Sequence, residues 1–205
     1  MDRNEKIKVE VFFDYICPYC YAGLKYLEDL LPEYDFVEIE WRSVEAHPRS
    51  EPQLDLSDRK DIWESKMKTM VEQAGLELNP TVSPVPRSDK AFEGMHYIIE
   101  HEGDVEKFHK NMFKAMFVEQ KNVEEDSVIL SCALNCGIDT AGLESALKNG
   151  TYAEKQQQSL SYAYIDNQIE AVPTFISRTK RLDAVPGVGI TREQVKIFLD
   201  SLSTD

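Results

Sequence analysis

The stretch VEVFFDYICPYCYAGLKYL, residues 9–27, decides the fold of this chain. It opens as an apolar run and then sets Cys17 and Cys20 three positions apart, around Pro18 and Tyr19. Residues 7–14 alternate and then fill with β-branched and aromatic side chains, which predicts a buried strand. After Cys17 the apolar positions Tyr19, Ala22, Tyr26, Leu27 and Leu30 recur at helical spacing, and Pro32 ends the run. Residues 36–43 alternate Val37, Ile39 and Trp41 against Glu38, Glu40 and Arg42, a second strand. Two strands joined by a helix make a β-α-β unit, with a crossover long enough for parallel pairing.

Beyond this unit the character changes. EAHPRSEPQLDLS (45–57) reads as a proline-bearing loop, followed by a helix over 57–76 with Ile62, Met67, Met70, Val71 and Ala74 on its apolar side. NPTVSPVPRS (79–88) is a second loop, and the segments 88–103, 104–120, 124–137, 139–150 and 152–168 read as further helices. Many of these follow Ser or Asp and stop at Gly. Strand character returns at AVPTFISRTKRLDAV (171–185), where a polar turn from Arg178 to Lys180 would join two antiparallel strands. The C-terminal segment 186–202 predicts a helix, with a Thr191–Gln194 capping box and a stripe of Val195, Phe198, Leu199 and Leu202. The order β-α-β, many helices, β-β-α describes an α/β core split by an all-helical insertion. Residues 1–45 and 170–205 form one domain, and 55–168 form the inserted subdomain.

Composition narrows the function classes. With 37 acidic and 23 basic residues the net charge is −14, a surface that repels phosphate backbones and anionic lipid heads. Nucleic-acid and membrane partners are therefore not expected, and no apolar run approaches the ~20 residues that a bilayer span needs. The start MDRNEKIKVEVFF lacks the layout of a signal peptide, so the expected compartment is the cytoplasm. Four cysteines are too few for a disulfide-stapled scaffold. In a reducing compartment a C-x-x-C pair is then catalytic, metal-binding or incidental. A four-thiolate zinc site would need Cys132 and Cys136 to join Cys17 and Cys20, and their placement in the helical stretch 124–137 argues against it.

The chemistry expected at Cys17 follows from its place at the end of a strand and the start of a helix. Pro18 suits the first helical turn, where its missing N–H is not needed. The free amides and dipole of that turn face the Cys17 sulfur and favour thiolate over thiol. Cys20, one turn on, can attack a mixed disulfide formed at Cys17. Far downstream, Val172-Pro173-Thr174 opens the third strand. A cis bond before Pro173 would aim the Val172 backbone N–H and C=O at the Cys17 sulfur, where an extended substrate backbone could pair with them.

FFDYICPYCYAG (12–23), the helical insertion and AVPTF (171–175) together resemble the thioredoxin-fold DsbA superfamily. VEAHP (44–48), residues 90–123 and VILSCALNCGID (128–139) resemble the insertion of its FrnE-like dithiol–disulfide oxidoreductase branch. The resemblance implies a cis bond at Pro173, a nucleophilic Cys17, a resolving Cys20, and a catalytic motif that includes Pro18 and Tyr19. Its expected partners are disulfide-containing proteins or peptides, with glutathione or a thioredoxin-type reductant, and the chemistry requires no metal or bound organic cofactor. The motif is also similar to glutathione-dependent hydroxychromene-carboxylate isomerases and kappa-class glutathione transferases, which typically carry serine at the position of Cys17.

The chain departs from the superfamily six residues before the first cysteine, where thioredoxins and DsbA carry a buried carboxylate and this chain has Val11. Asp14 is the nearest acid, with solvated, capping and proton-handling roles all open to it. Cys132 and Cys136 admit core packing or a second redox pair, since an i, i+4 helical spacing holds Cβ atoms too far apart for a bridge unless the helix end relaxes at Gly137. His96, His101 and His109 fit surface or satisfied core positions. The methionines 67, 70, 95, 112 and 116 fit the core of the insertion, with a Met-lined substrate groove as the alternative.

Overall fold

The computed structural model describes residues 6–55, 60–79 and 83–203. Strand β1 (Ile7–Phe13) leads into helix α1 (Pro18–Leu30), extended by a 3-10 turn over Leu31–Glu33, and then strand β2 (Val37–Ser43). Six helices follow: α2 (Lys60–Gln73), α3 (Asp89–Glu100), α4 (Val105–Phe117), α5 (Asp126–Ala133), α6 (Thr140–Asn149) and α7 (Ala153–Ser161), the last running on as a π turn over Tyr162–Asp166. Strands β3 (Thr174–Ser177) and β4 (Lys180–Asp183) and helix α8 (Arg192–Leu202) close the chain. The expected start of α2 at 57–59 and the side chain of Ile62 lie outside the described residues.

The sheet order is β2-β1-β3-β4. β1 pairs in parallel with β2, Ile7 against Val37 through Phe13 against Ser43, and antiparallel with β3, Phe12 against Thr174. The first and last segments of the chain thus share one sheet, a thioredoxin-like fold with the helices inserted between β2 and β3. β1 is central and covered on both faces, which explains its dense apolar run. Val9, Val11 and Phe13 join the main core with Leu27, Phe175 and Leu199, while Phe12 packs with Val44, Ala163 and Ile169 on the other side. Among the described residues, no helix is long and apolar enough to cross a membrane.

Several caps match their expectation. Asp104 and Asp139 accept from amides of α4 and α6, Gly150 ends α6 at φ 61°, and Thr191 with Gln194 forms the capping box of α8. Others differ. Ser88 makes no side-chain cap to α3. The β3–β4 turn is Arg178–Thr179, with Arg178 at φ 53° and Lys180 already in β4. Helix α5 stops at Ala133, short of Gly137, because Leu134 turns extended and Asn135 adopts a left-handed conformation at φ 64°, which Asn tolerates.

Candidate active site

The last residues of β1 and the first turn of α1 build the site. Cys17 takes the N-cap position in extended backbone, with Pro18 as the first helical residue. Its carbonyl accepts from the amides of Cys20 and Tyr21 at 3.1 Å each, and its own amide donates to the Asp14 carbonyl at 3.2 Å. Cys17 is partly exposed, Cys20 is fully buried, and neither is in a disulfide. The Asp14 amide donates to the Cys20 sulfur at 3.4 Å. Burial first, and the adjacent Cys17 sulfur second, push the Cys20 thiol well above its ordinary range.

The opposite wall is the start of β3. The Val172–Pro173 bond is cis, and the Cys17 thiol donates to the Val172 carbonyl at 3.7 Å. Thr174 anchors this loop, its hydroxyl donating to the Ala171 carbonyl at 2.8 Å. The loop can come this close because α1 carries Gly23 at the contact: a Cβ there would lie 2.7 Å from Pro173 Cγ. Tyr19 packs the same way against Gly189, where φ is +83° and a Cβ would meet the Tyr19 ring at 2.6 Å and the Met70 sulfur at 3.3 Å. The Tyr19 hydroxyl is buried and has no partner among the described residues.

Asp14 is fully buried, so the solvated placement considered for it is excluded, and its carboxylate instead caps backbone. It accepts from the Ile16 amide at 3.2 Å and from the Ala46 amide at 2.7 Å. Burial lifts its pKa to about 7, only partly offset by the nearby Ser88 hydroxyl and then by those amides. Ala46 belongs to the VEAHP loop, which Arg87 holds by donating to the carbonyls of His47, Pro48 and Glu51. Tyr15, fully buried, meets Nδ1 of the equally enclosed His109 at 2.7 Å. None of Gly23, Gly189, Ala46 or the Tyr15–His109 contact stands out in the sequence, since each acts through a partner distant along the chain. Gly23 and Ala46 fall inside the stretches 12–23 and 44–48 that carry the resemblance, but their contacts are not legible there.

Cys132 sits in the last turn of α5, and Cys136 lies beyond the helix, against the expectation of one helix holding both. Both are buried and free, and the Cys136 thiol donates to the Cys132 carbonyl at 3.5 Å. Burial raises both thiols, Cys132 to about 11. Among the described residues no three His, Cys, Asp or Glu side chains come together as a ligand set, so the two cysteine pairs do not assemble a four-thiolate site.

A partly exposed cysteine whose sulfur faces a backbone carbonyl, with a buried cysteine one helical turn on, can form a mixed disulfide at the first and release it through the second. The family model for the DSBA-like thioredoxin domain matches residues 8–196. The protein YwbO of Bacillus subtilis (strain 168) is 37% identical over 174 residues, spanning 83% of this chain and 86% of its own. The cytosolic disulfide reductase DsbM from Pseudomonas aeruginosa superposes with a TM-score of 0.73 at 13% identity, over 97% of this chain and 100% of its own. That protein has also been solved with GSH, with a TM-score of 0.67 at 14% identity over 96% and 100% of the two chains. A 2-hydroxychromene-2-carboxylate isomerase superposes with a TM-score of 0.72 at 16% identity, over 96% and 95%. At such identities the structures speak for the shared fold, whereas the family match and YwbO speak for descent. This chain belongs to the DSBA-like thioredoxin domain family.

Proposed function

We propose that the protein is a dithiol–disulfide oxidoreductase of the FrnE-like branch, working in the cytoplasm, with Cys17 as the exchanging sulfur and Cys20 as the resolving one. The observation that carries this reading is the pairing of a partly exposed Cys17, its sulfur 3.7 Å from the Val172 carbonyl, with a wholly buried Cys20. In the reducing direction the Cys17 thiolate attacks one sulfur of a substrate disulfide, whose S–S bond breaks. The other substrate sulfur leaves as a thiolate and takes up a proton. Cys20 then gives up its proton and attacks the Cys17 sulfur, releasing the second substrate thiolate. Two electrons pass to the substrate and a Cys17–Cys20 disulfide remains, which a thioredoxin-type dithiol or two glutathione molecules restore. Run backward, the same steps oxidise a substrate dithiol.

The other residues take supporting roles. Pro18 starts the helix that presents Cys17, and Tyr19 and Pro173 shape the walls on either side. Val172 offers its backbone to an extended peptide. Asp14 is our choice for the acceptor of the Cys20 proton: its amide touches that sulfur, and its carboxyl is held near neutrality. Cys132 and Cys136 serve as core packing in this reading.

The test is a redox titration of the purified protein in glutathione buffers, read by alkylation and mass spectrometry. The expected result is one two-electron transition at Cys17–Cys20, and disulfide-reducing activity that disappears in Cys17→Ser. A midpoint near roughly −270 mV places it with reductants and one near roughly −120 mV with oxidants. Should no internal disulfide form while Cys17→Ser keeps a glutathione-dependent activity, the isomerase or transferase alternative replaces this reading.

A further inference from the structure

Helix α7 does not stop in a regular cap but widens into the π turn over Tyr162–Asp166. Such turns are rare and recur at functional sites. Within this one Ala163 is wholly buried, whereas Tyr164 is 40% exposed. The Tyr164 hydroxyl donates to the Glu45 carbonyl at 2.5 Å. The other end of that same peptide group is the Ala46 amide, which donates to Oδ2 of Asp14 at 2.7 Å. One peptide therefore accepts from Tyr164 on one side and donates to Asp14 on the other. Donation to a peptide carbonyl polarises the group and strengthens its N–H as a donor. A half-exposed phenol is thus linked, through a single peptide, to the buried acid whose own amide touches the Cys20 sulfur at 3.4 Å.

The loop that carries this peptide has other anchors. The buried Glu45 carboxyl accepts from Gln156 Nε2 at 2.7 Å, while Gln156 Oε1 accepts from Ser43 at 2.7 Å and meets His96 Nε2 at 3.0 Å. Arg87 holds the carbonyls that follow, from His47 to Glu51. Removing the Tyr164 hydroxyl therefore acts on one hydrogen bond and leaves the loop tied. The groups that face Asp14 are Cys20 from α1, Tyr15 after β1, Glu45 from the loop, Ser88 before α3, and Tyr164, which Glu51 faces as well. Tyr164 is the exposed member of that set, since the other four around Asp14 are at most 3% exposed.

We propose that Tyr164 is a positioning residue for disulfide exchange, holding the Asp14 carboxyl through the Glu45–Ala46 peptide. The inference rests on the dithiol reading above, with Asp14 as the acceptor of the Cys20 proton. An amide donated to a carboxylate favours its charged form. Losing the Tyr164 hydroxyl weakens the Ala46 donor, so Asp14 keeps its proton to higher pH and is ready for the Cys20 proton only there.

The test is Tyr164→Phe in the full reduced chain, with the Asp14 carboxyl titrated by carbon-13 NMR and assigned by its absence in Asp14→Asn. The midpoint is expected to rise by about half a pH unit, one hydrogen bond weakened by a fraction of its strength. The pH profile of disulfide reduction is expected to move upward by the same amount, and Tyr164→Phe should add no shift in an Asp14→Asn background. Tyr162→Phe is the control. It removes a hydroxyl from the same π turn, one that donates to Glu10 at 2.9 Å, and should shift neither reading. An Asp14 midpoint that Tyr164→Phe leaves unchanged, a midpoint that moves without the profile, or an equal shift in Tyr162→Phe would each overturn the proposal. A parent protein that reduces no disulfide would overturn the dithiol reading and the role in exchange with it. The NMR midpoint, read without any activity, tells that failure apart from a failure of the Tyr164 contact.

Discussion

Burial separates the four cysteines of this protein into one that is partly exposed and three that are buried. Cys20, Cys132 and Cys136 are at most 6% exposed, and burial raises all three thiols, whereas Cys17 sits at the open helix start. Thiolate character and access together set the rate of alkylation. Iodoacetamide applied to the reduced native protein at neutral pH should therefore modify Cys17 roughly tenfold or more ahead of the other three. Denaturant should bring the four rates together, as peptide mass spectrometry would record. Labelling of Cys132 or Cys136 at the Cys17 rate would mean that the end of α5 opens in solution.

At the scale of elements, the site depends on how closely α1 approaches its neighbours. Gly23 lets the Pro173 ring rest directly on the helix, with Ile190 beside it; a Cβ would lie 3.1 Å from Ile190 Cδ1 and closer still to the proline. Gly23→Ala should cost about 1–3 kcal/mol by overpacking. It should also slow disulfide exchange at least about tenfold, because the displaced loop carries the Val172 carbonyl away from Cys17. Unfolding in urea and a reduction assay measure the two effects separately. Thr191→Ala supplies the contrast. It removes the capping box of α8 without touching the Gly23–Pro173 contact, and should cost about 1 kcal/mol of stability while leaving the exchange rate as it was.

At the scale of the whole molecule, two buried titrating groups, Asp14 and His109, oppose each other. Asp14 has its pKa raised from 3.8 to about 7, so between those values the folded chain holds a proton that the unfolded chain has lost, and stability falls as pH rises. His109 has its pKa lowered by burial from 6.5 to about 3, so the unfolded chain binds the proton first, and stability rises with pH over that span. The two slopes nearly cancel between about pH 4 and 6.5. Each is worth about 1.4 kcal/mol per pH unit when fully expressed. Relative to the parent, Asp14→Asn should gain stability with rising pH by about 3 kcal/mol between pH 4.5 and 6.5, and His109→Gln should lose a similar amount. Urea unfolding of the three proteins at the two pH values checks both signs, and parallel profiles would show that the two groups titrate normally.

Sequence alone determined the β-α-β start, the helical insertion, the returning hairpin and the capped C-terminal helix. Each rests on short-range periodicity and on local signals such as Pro18, Pro32 and Gly150. It also singled out Cys17 and Cys20, because a strand–C-P-x-C–helix junction is itself local, and Pro173 through the resemblance that AVPTF carries. What surrounds the sulfurs was decided only by tertiary structure. Asp14 reads as an acid at a strand end until the loop carrying Ala46 folds over it and excludes water. Gly23 and Gly189 look like ordinary helix and loop glycines until Pro173 and Tyr19 arrive against them. His109 fits a surface or a core position equally well until α4 packs on Trp41 and Tyr15. Burial and close approach are properties of segments distant in sequence, and neither the raised Asp14 carboxyl nor the lowered His109 imidazole exists before those segments meet.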